Sequence, residues 1–353
     1  MNILFFKKIA FLALITLSSS IAYAQQTEMN SNSLADYNDA ITLYNNKAYA
    51  AAQKKFKEVA TESKNANALK SDSEYFTAMC AIKLNQTEAD KMVLSFVENN
   101  PNSNKKEKAF LNVGNYYFAN KKASHALKWY SKVNRKVLST ENQKELDFKM
   151  GYAMLTTGNL KLAKNKFFPL INDARYGNDS RYYYGFIAYK QADYETAEIH
   201  LTEIAKQASY ANEATYYLLD ISFKDAKFEK SIEIGKKLLK NKKQKERSDI
   251  SKIIGESYFN LKKYKEALPY LQAYKGKRGK WNNTDYYQLG YTYYKQNDFE
   301  NAVKNFNKII GDTNSVSQNA YYHLAECYLY LEKKPEALNA FKSASEMDFD
   351  PKI

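Results

Sequence analysis

Proline, glycine, cysteine and histidine are all scarce in this chain of 353 residues. It contains five prolines and eleven glycines. Because these two residues punctuate turns, their scarcity favours long helices with short connections over many strands. Of the three histidines, His125, His200 and His323, only His323 has a His or Cys three or four positions away, namely Cys327, and neither C-x-x-C nor H-E-x-x-H occurs. We therefore expect no metal site and no cofactor.

Only two cysteines are present, Cys80 and Cys327, and each lies within an apolar helical pattern. An oxidising compartment would permit one disulfide bridge between them. Their apolar surroundings instead favour buried, unpaired thiols.

Long apolar runs are missing except near the N-terminus. There a basic pair, Lys7 and Lys8, precedes an apolar run from Ile9 to Leu17, and Ala22-Tyr23-Ala24 forms an A-x-A cleavage signal. The run is shorter than the roughly 20 residues that a membrane-spanning helix needs. The pattern predicts a signal peptide that is cleaved before Gln25, no transmembrane segment, and export to the periplasm or cell envelope.

Aromatic residues are abundant, with 31 tyrosines and 19 phenylalanines, and they recur with a repeating pattern of small residues. In each copy, a residue that is usually small and preceded by an apolar residue is followed twelve positions later by alanine. We call the first residue of each pair the anchor. The pairs are Ala40 and Ala52, Gly114 and Ala126, Gly151 and Ala163, Gly185 and Ala197, Gly255 and Ala267, Gly290 and Ala302, and Ala325 and Ala337. Leu219 with Ser231 fills the gap after Gly185, a weak copy lies near Met79, and the anchors from Gly114 onward are 34 to 37 residues apart. A period of this length indicates a stack of helical repeats.

The residues around Gly290 explain the pattern physically. Leu289, Gly290 and Tyr293 share one face of a predicted helix, and Ala302 and Phe306 share one face of the next. Glycine within a helix costs roughly 1 kcal/mol relative to alanine. We therefore expect Gly290 to lie where the paired helix approaches the backbone closely, and the Asn297-Asp298 pair between the helices predicts their turn.

These residues resemble the tetratricopeptide repeat (TPR) family. The matching sets are Tyr286, Leu289, Gly290, Tyr293, Ala302 and Phe306, and then Tyr321, Leu324, Ala325, Tyr328, Ala337 and Phe341. The resemblance implies an all-α fold, a right-handed superhelical solenoid of about nine helix-turn-helix hairpins. Two departures are present, since the unit near Met79 is degenerate and Leu219, Ser231 and Gly235 replace the usual small, alanine and aromatic residues.

The predicted domain organisation has four parts. A signal peptide (1–24) and a short linker (25–33) precede the solenoid (34–345). Residues 346–353 are too few for a capping helix, and Asp350-Pro351 favours a turn that leads onward. We expect either a longer repeat protein or a final hairpin that packs against another chain.

The resemblance also predicts a ligand-binding groove. In the family, groove-facing side chains lie three positions before, one after and four after each anchor. Carried over, the aromatic positions are Tyr182, Phe186, Tyr189, Tyr216, Phe223, Phe259, Tyr287, Tyr291, Tyr294 and Tyr322, and the others are Asp220, Lys252, Glu256, Glu326 and Leu329. Such rigid aromatics suit an extended peptide, and they also suit stacking against sugar rings.

Positive charge is concentrated outside this groove. The formal net charge is +14, and basic segments run from Lys236 to Arg247 and from Lys275 to Lys280, at the ends of second helices and in connecting loops. They form either a solvated outer face or a stripe that contacts an anionic envelope polymer. Without base-stacking aromatics beside the lysines, we do not expect nucleic acid binding.

No catalytic residues are predicted. The run Gly255-Glu256-Ser257 continues as Tyr258-Phe259, so the G-x-S-x-G nucleophile elbow is missing. A carboxylate pair for glycoside hydrolysis stays open as a third reading. The favoured function is a non-enzymatic scaffold that binds a protein or extended peptide in its groove, and the alternative is a binder of anionic envelope glycan such as peptidoglycan. The clamp of chaperone-tail-binding members is not carried over, because Leu111 stands where that clamp requires lysine.

Overall fold

The structure, a computed structural model, describes residues 32–63, 67–241, 246–309 and 311–353. The predicted signal peptide, most of the predicted linker and positions 242–245 of the first basic segment lie outside the described residues. The chain divides into two compact units, Met1–Pro169 and Leu170–Ile353.

The described residues of the first unit form eight α-helices, which pair in sequence as antiparallel hairpins. They are α1 (32–45), α2 (Tyr49–Glu62), α3 (Asn67–Lys83), α4 (Ala89–Asn99), α5 (Lys106–Ala119), α6 (Ala123–Tyr130), α7 (Thr140–Thr156) and α8 (Leu160–Phe167). A 3₁₀ turn at Arg135–Val137 precedes α7, and another at Phe168–Leu170 follows α8.

In the second unit, the part of the chain that the structure describes forms ten α-helices arranged in the same way. They are α9 (Gly177–Lys190), α10 (Tyr194–Ile204), α11 (Ala211–Lys224), α12 (Phe228–Lys240), α13 (Arg247–Asn260), α14 (Tyr264–Ala273), α15 (Asn283–Tyr294), α16 (Phe299–Phe306), α17 (Ser315–Tyr330) and α18 (Lys334–Ser345). The described residues contain no strand, only an isolated bridge between Lys277 and Lys280. The predicted all-α class with about nine hairpins is confirmed.

Each hairpin turn is made by one residue in the left-handed conformation. At Asn297, φ is 60°, its N–H donates to the Tyr294 carbonyl at 3.0 Å, and the Asp298 N–H donates to the Tyr293 carbonyl at 3.0 Å. This pair of bonds closes the end of the first helix. Asp298 then caps α16 by accepting from the Asn301 N–H. The corresponding left-handed residues are Lys47, Asn85, Lys121, Gly158, Ala192, Ala226, Lys262, Asn297 and Glu332.

At each anchor glycine, a large side chain from the second helix of the same hairpin packs against the glycine backbone. A Cβ at Gly290 would lie 2.8 Å from Cε1 of Phe306 and 3.3 Å from the Asn305 Cβ. The close approach predicted for Gly290 is present, but a ring makes it rather than the backbone of the paired helix. In four other hairpins, the side chain sixteen positions after the anchor glycine likewise contacts the place where its Cβ would lie. The pairs are Gly114 and Tyr130, Gly151 and Phe167, Gly185 and Leu201, and Gly255 and Leu271.

The hairpin of α11 and α12 reverses these sizes. Its anchor is the fully buried Leu219, and the residue sixteen positions later is Gly235. A Cβ at Gly235 would lie 3.5 Å from Cδ1 of Leu219 and 2.5 Å from Cγ1 of Ile254. The large anchor residue therefore lies on the first helix, and the space at Gly235 is filled mainly by Ile254 of α13, with Leu219 in ordinary contact.

The first helices form a continuous layer within the second unit. Each of α9, α11, α13 and α15 packs against the next first helix as well as against its own partner helix. In the described part, no second helix packs to the same extent against the next second helix. First helices therefore lie on the more closely spaced side of this unit.

The last residues lie against the final hairpin. The Gln318 amide of α17 donates to the Met347 carbonyl at 2.6 Å, and its oxygen accepts from the N–H groups of Phe349 at 3.1 Å and Asp350 at 2.7 Å. Whether the chain continues or this hairpin contacts another chain stays a prediction. Cys80 and Cys327 are buried and unpaired, and no helix in the described part is both long enough and apolar enough to span a membrane.

Candidate binding groove

All fifteen predicted groove positions lie on the first helices of the second unit, and we call their surface the groove face. They occupy α9, α11, α13, α15 and α17. Fourteen of the side chains are half-buried, and Leu329 is 50% exposed. Half-burial means that the rings pack against neighbouring hairpins while part of each remains available to a ligand. Their role in binding stays a prediction.

The first aromatic cluster joins α9 to α11. The ring of Tyr217, which is not a predicted groove residue, lies 4.9 Å from Tyr189 and 5.4 Å from Phe186 between centroids. Phe186 is also stacked with Tyr182 at 6.4 Å. The Tyr189 hydroxyl donates to the Asp220 carboxylate at 2.6 Å. Burial, and then this hydrogen bond, raise the pKa of Tyr189 to about 12, so its hydroxyl remains a donor.

Helix α13 interrupts the aromatic surface with a charged group. The Lys252 ammonium lies 2.5 Å from Oδ1 of Asp285 and 3.8 Å from Oε1 of Glu256. Asp285 is positioned by the capping box that it forms with Asn282 at the start of α15. Burial raises the pKa of Glu256, and Lys252 opposes that shift. Because Lys252 contacts both carboxylates, this part of the groove face is organised before a ligand binds.

The second aromatic cluster joins α15 to α17 around a histidine. His323 lies 4.9 Å from Tyr291, 5.2 Å from Tyr294 and 5.3 Å from Tyr322 between ring centroids. Its Nδ1 is 2.8 Å from Oε2 of Glu326. Burial lowers the pKa of His323 and Glu326 opposes the shift, which favours a neutral ring at neutral pH.

Sequence reasoning missed His323 because it lies two positions before the anchor Ala325 rather than three. The sequence did indicate that an aromatic surface faces α17, because Tyr287, Tyr291 and Tyr294 of the preceding hairpin share the face that contacts it.

Three predicted groove residues belong less clearly to the clusters. Phe223 contacts Phe228 of its own hairpin at 5.8 Å. Tyr216 contacts its neighbour Tyr217 at 5.8 Å. Phe259 extends from α13 to Tyr291 at 5.7 Å and so connects the charged group to the second cluster.

The first unit has clefts of its own. Open clefts of about 620 and 940 Å³ occur in the first unit, the smaller lined by Lys57, Thr77, Met92 and Phe96 among others. No group of three or more His, Cys, Asp or Glu side chains suited to a metal ion occurs among the described residues.

Comparisons with known proteins gave one match to a family sequence model and several similar solved structures. Residues 277–344, which contain the last two hairpins, match the sequence model of anaphase-promoting complex (cyclosome) subunit 3. The sequence matches no curated protein. Similar solved structures include a tetratricopeptide repeat protein from Parabacteroides merdae, at 13% identity and TM-score 0.42, covering 80% of this chain and 94% of that one.

A pilF structure from Pseudomonas aeruginosa is similar at 11% identity and TM-score 0.39, covering 60% of this chain and 91% of that one. A Naa15/Naa10 structure with HypK is similar at 14% identity and TM-score 0.48, covering 90% of this chain and 58% of that one. Over residues 277–344, the match to this family model accompanies the repeating hairpins and their anchor residues, and it supports the resemblance to tetratricopeptide repeat proteins.

Proposed function

We propose that the protein is a non-catalytic scaffold whose groove face holds an extended segment of a protein partner. Tetratricopeptide repeat proteins bind protein partners, and the fold is that of an interaction scaffold. The observation that carries the groove assignment is the pair of half-buried aromatic clusters on one layer of first helices, separated by the charged group of Lys252.

The chemistry of this face suits a peptide. Tyrosine presents a large apolar ring with a polar tip and has few rotatable bonds, so it binds with little loss of conformational entropy. Tyr189 and His323 are already fixed by Asp220 and Glu326, at 2.6 and 2.8 Å. Such preorganisation reduces the entropic penalty that binding would otherwise incur.

An envelope glycan is the second candidate ligand, and one observation favours it. The ring of Tyr330 stacks on Phe299 at 4.4 Å with planes 5° apart, and Tyr330 is 64% exposed. One face of this ring is therefore covered and the other is open, as in a platform for a sugar ring.

We also propose that the protein acts in the cell envelope after export. The support is the N-terminal pattern of Lys7, Lys8 and the Ala22-Tyr23-Ala24 site. N-terminal sequencing of the protein recovered from the envelope fraction tests this proposal. A chain that starts at Gln25 is expected, and retention of Met1 in cytoplasmic protein would contradict it.

The groove assignment is tested with the double variant Tyr291→Ala/Tyr294→Ala. Its matched control is Tyr291→Phe/Tyr294→Phe, which keeps the rings and removes only the hydroxyls. Wild type and both variants are immobilised and exposed to envelope extract, which is either untreated, treated with protease or treated with a peptidoglycan hydrolase.

A protein partner should be captured by wild type and by the Phe variant, and lost with protease or with the Ala variant. Capture that resists protease but is lost after glycan hydrolysis would favour the glycan alternative. Equal capture by the Ala variant, with unchanged helicity, would exclude this part of the groove face as the binding surface.

A further inference from the structure

Two lysines at the edge of the groove face hold their ammonium groups over its aromatic rings. Lys190 ends α9, with Nζ 5.5 Å from the ring centroid of Phe186 and 5.9 Å from that of Tyr189. Lys295 follows α15, with Nζ 5.1 Å from the centroid of Tyr291 and 5.2 Å from that of Tyr294. Both lysines lie five positions after an anchor glycine.

The lysines of this face differ in whether a carboxylate contacts them. Lys224 pairs with Asp220 at 2.6 Å, and Lys252 pairs with Asp285 at 2.5 Å and lies 3.8 Å from Glu256. Glu326 lies 2.8 Å from Nδ1 of the neutral His323 ring. Among the described residues, no carboxylate oxygen lies within 4 Å of Nζ of Lys190 or Lys295, and both lysines are exposed. Lys190 and Lys295 are therefore the two lysines at this face whose ammonium groups have no carboxylate contact.

The aromatic contacts position these ammonium groups without neutralising them. A ring attracts the cation through its quadrupole and carries no net charge. The solvent-facing side of each ammonium group remains free to donate hydrogen bonds to a carboxylate, and such charge-assisted bonds are stronger than neutral ones.

The helix layer sets the distance between the two sites. From α9 to α15 there are three steps between first helices that contact each other. Packed helices lie about 8–10 Å apart, so the two ammonium groups are on the order of 25–30 Å apart. An extended chain advances about 3.3–3.6 Å per residue, so this distance corresponds to about eight residues.

We propose that the protein partner presents an acidic extended segment, in which two Asp or Glu residues about eight positions apart pair with Lys190 and Lys295. The residues between them lie along the aromatic clusters and the Lys252 group. This inference rests on the proposed function, because it assumes that a peptide occupies the groove face.

The test is a selection of random 16-residue peptides displayed on phage against the purified protein. Selections are run in parallel on wild type, on Lys190→Gln/Lys295→Gln, and on the matched control Lys265→Gln/Lys304→Gln. The control lysines are exposed on the second helices α14 and α16, so both variants lose two positive charges. Peptides from the wild-type selection are synthesised with each acidic residue intact or replaced by its amide.

Wild type and the control should select peptides with two acidic residues about seven to nine positions apart. Replacing either acid should weaken binding by about two- to fivefold, the range of an exposed ion pair. The Lys190→Gln/Lys295→Gln protein should bind the acidic and the amide peptides equally well.

The possible failures are distinguishable. Selected peptides without this acid spacing, or a preference that survives in Lys190→Gln/Lys295→Gln, would overturn the inference and leave the scaffold proposal standing. If no peptide enriches on wild type, or if enriched peptides bind equally to Tyr291→Ala/Tyr294→Ala, both this inference and the groove assignment are contradicted.

Discussion

Gly290 is small and faces the large ring of Phe306 sixteen positions later. This packing predicts a strong energetic coupling between the two positions. A single Cβ at Gly290 would lie 2.8 Å from the ring of Phe306, which is 1% exposed. Gly290→Leu should therefore overpack the hairpin of α15 and α16 and destabilise it by about 3 kcal/mol. Phe306→Ala should leave a cavity and destabilise it by about 3–5 kcal/mol.

The double variant should lose much less than the sum of these two effects. In the hairpin of α11 and α12, Leu219 on the first helix already faces Gly235 on the second, with Cδ1 3.5 Å from the position of a Gly235 Cβ. Gly290→Leu/Phe306→Ala recreates that arrangement, since the leucine enters the space that the ring leaves. We expect a favourable coupling of about 2–3 kcal/mol.

Urea unfolding followed by circular dichroism measures the three variants against wild type. Repeat arrays do not always unfold in one step, so hydrogen exchange of the α15 and α16 amides gives the local free energy. Gly290→Ala serves as the graded control: it gains about 1 kcal/mol in helix propensity and meets only the Cβ contact. Additive effects of Gly290→Leu and Phe306→Ala would refute this packing explanation.

Three further results are expected. Gly158 has φ 82° and no atom within 4 Å of the place where a Cβ would lie, so Gly158→Ala should lower the free energy of unfolding in urea by about 1 kcal/mol. Ala226 has φ 55°, so Ala226→Gly should raise that free energy by up to about 1 kcal/mol. Changes of the same sign would contradict the conformational argument. Burial raises the pKa of Cys80 and of Cys327 to about 12, so neither thiol should react with a disulfide reagent in the folded protein at pH 8, and rapid labelling would show that these helices open. Because burial lowers the pKa of His323, stability should fall as pH drops below the ordinary value of about 6.5; His323→Gln should make this fall shallower, and identical pH profiles would contradict it.

The sequence was sufficient for the repeat and its helices because both follow from periodic residues. Small anchors and alanines at fixed spacing predicted the nine hairpins, and Asn297-Asp298 predicted a turn that the structure contains. The partner of each anchor glycine was harder to predict. Gly290 meets the Phe306 ring sixteen positions later, and that relation depends on how the two helices pack rather than on the face of either helix alone.

The site was less predictable than the fold for the same reason. Position relative to the anchor placed the tyrosines on one layer, but their contacts cross from one hairpin to the next. His323 shows this, since it lies on α17 with its hydrogen-bond partner Glu326, whereas its neighbours Tyr291 and Tyr294 come from α15. A pattern within one repeat contains no information about such a cross-repeat group.

The distance between the two aromatic clusters restricts the kind of ligand that can use both. The first cluster lies on α9 and α11 and the second on α15 and α17, with the Lys252 group of α13 between them. Four steps of about 8–10 Å separate α9 from α17, which an extended chain of roughly ten to twelve residues can span. A single sugar ring or a small cofactor can contact only one cluster. A peptide shortened to four residues should therefore lose the contribution of one cluster, and its affinity should respond to Tyr189→Ala or to Tyr291→Ala but not to both. If such a short peptide responds to both substitutions while the fold of each variant is intact, the two clusters are one compact site and the extended mode of binding is wrong.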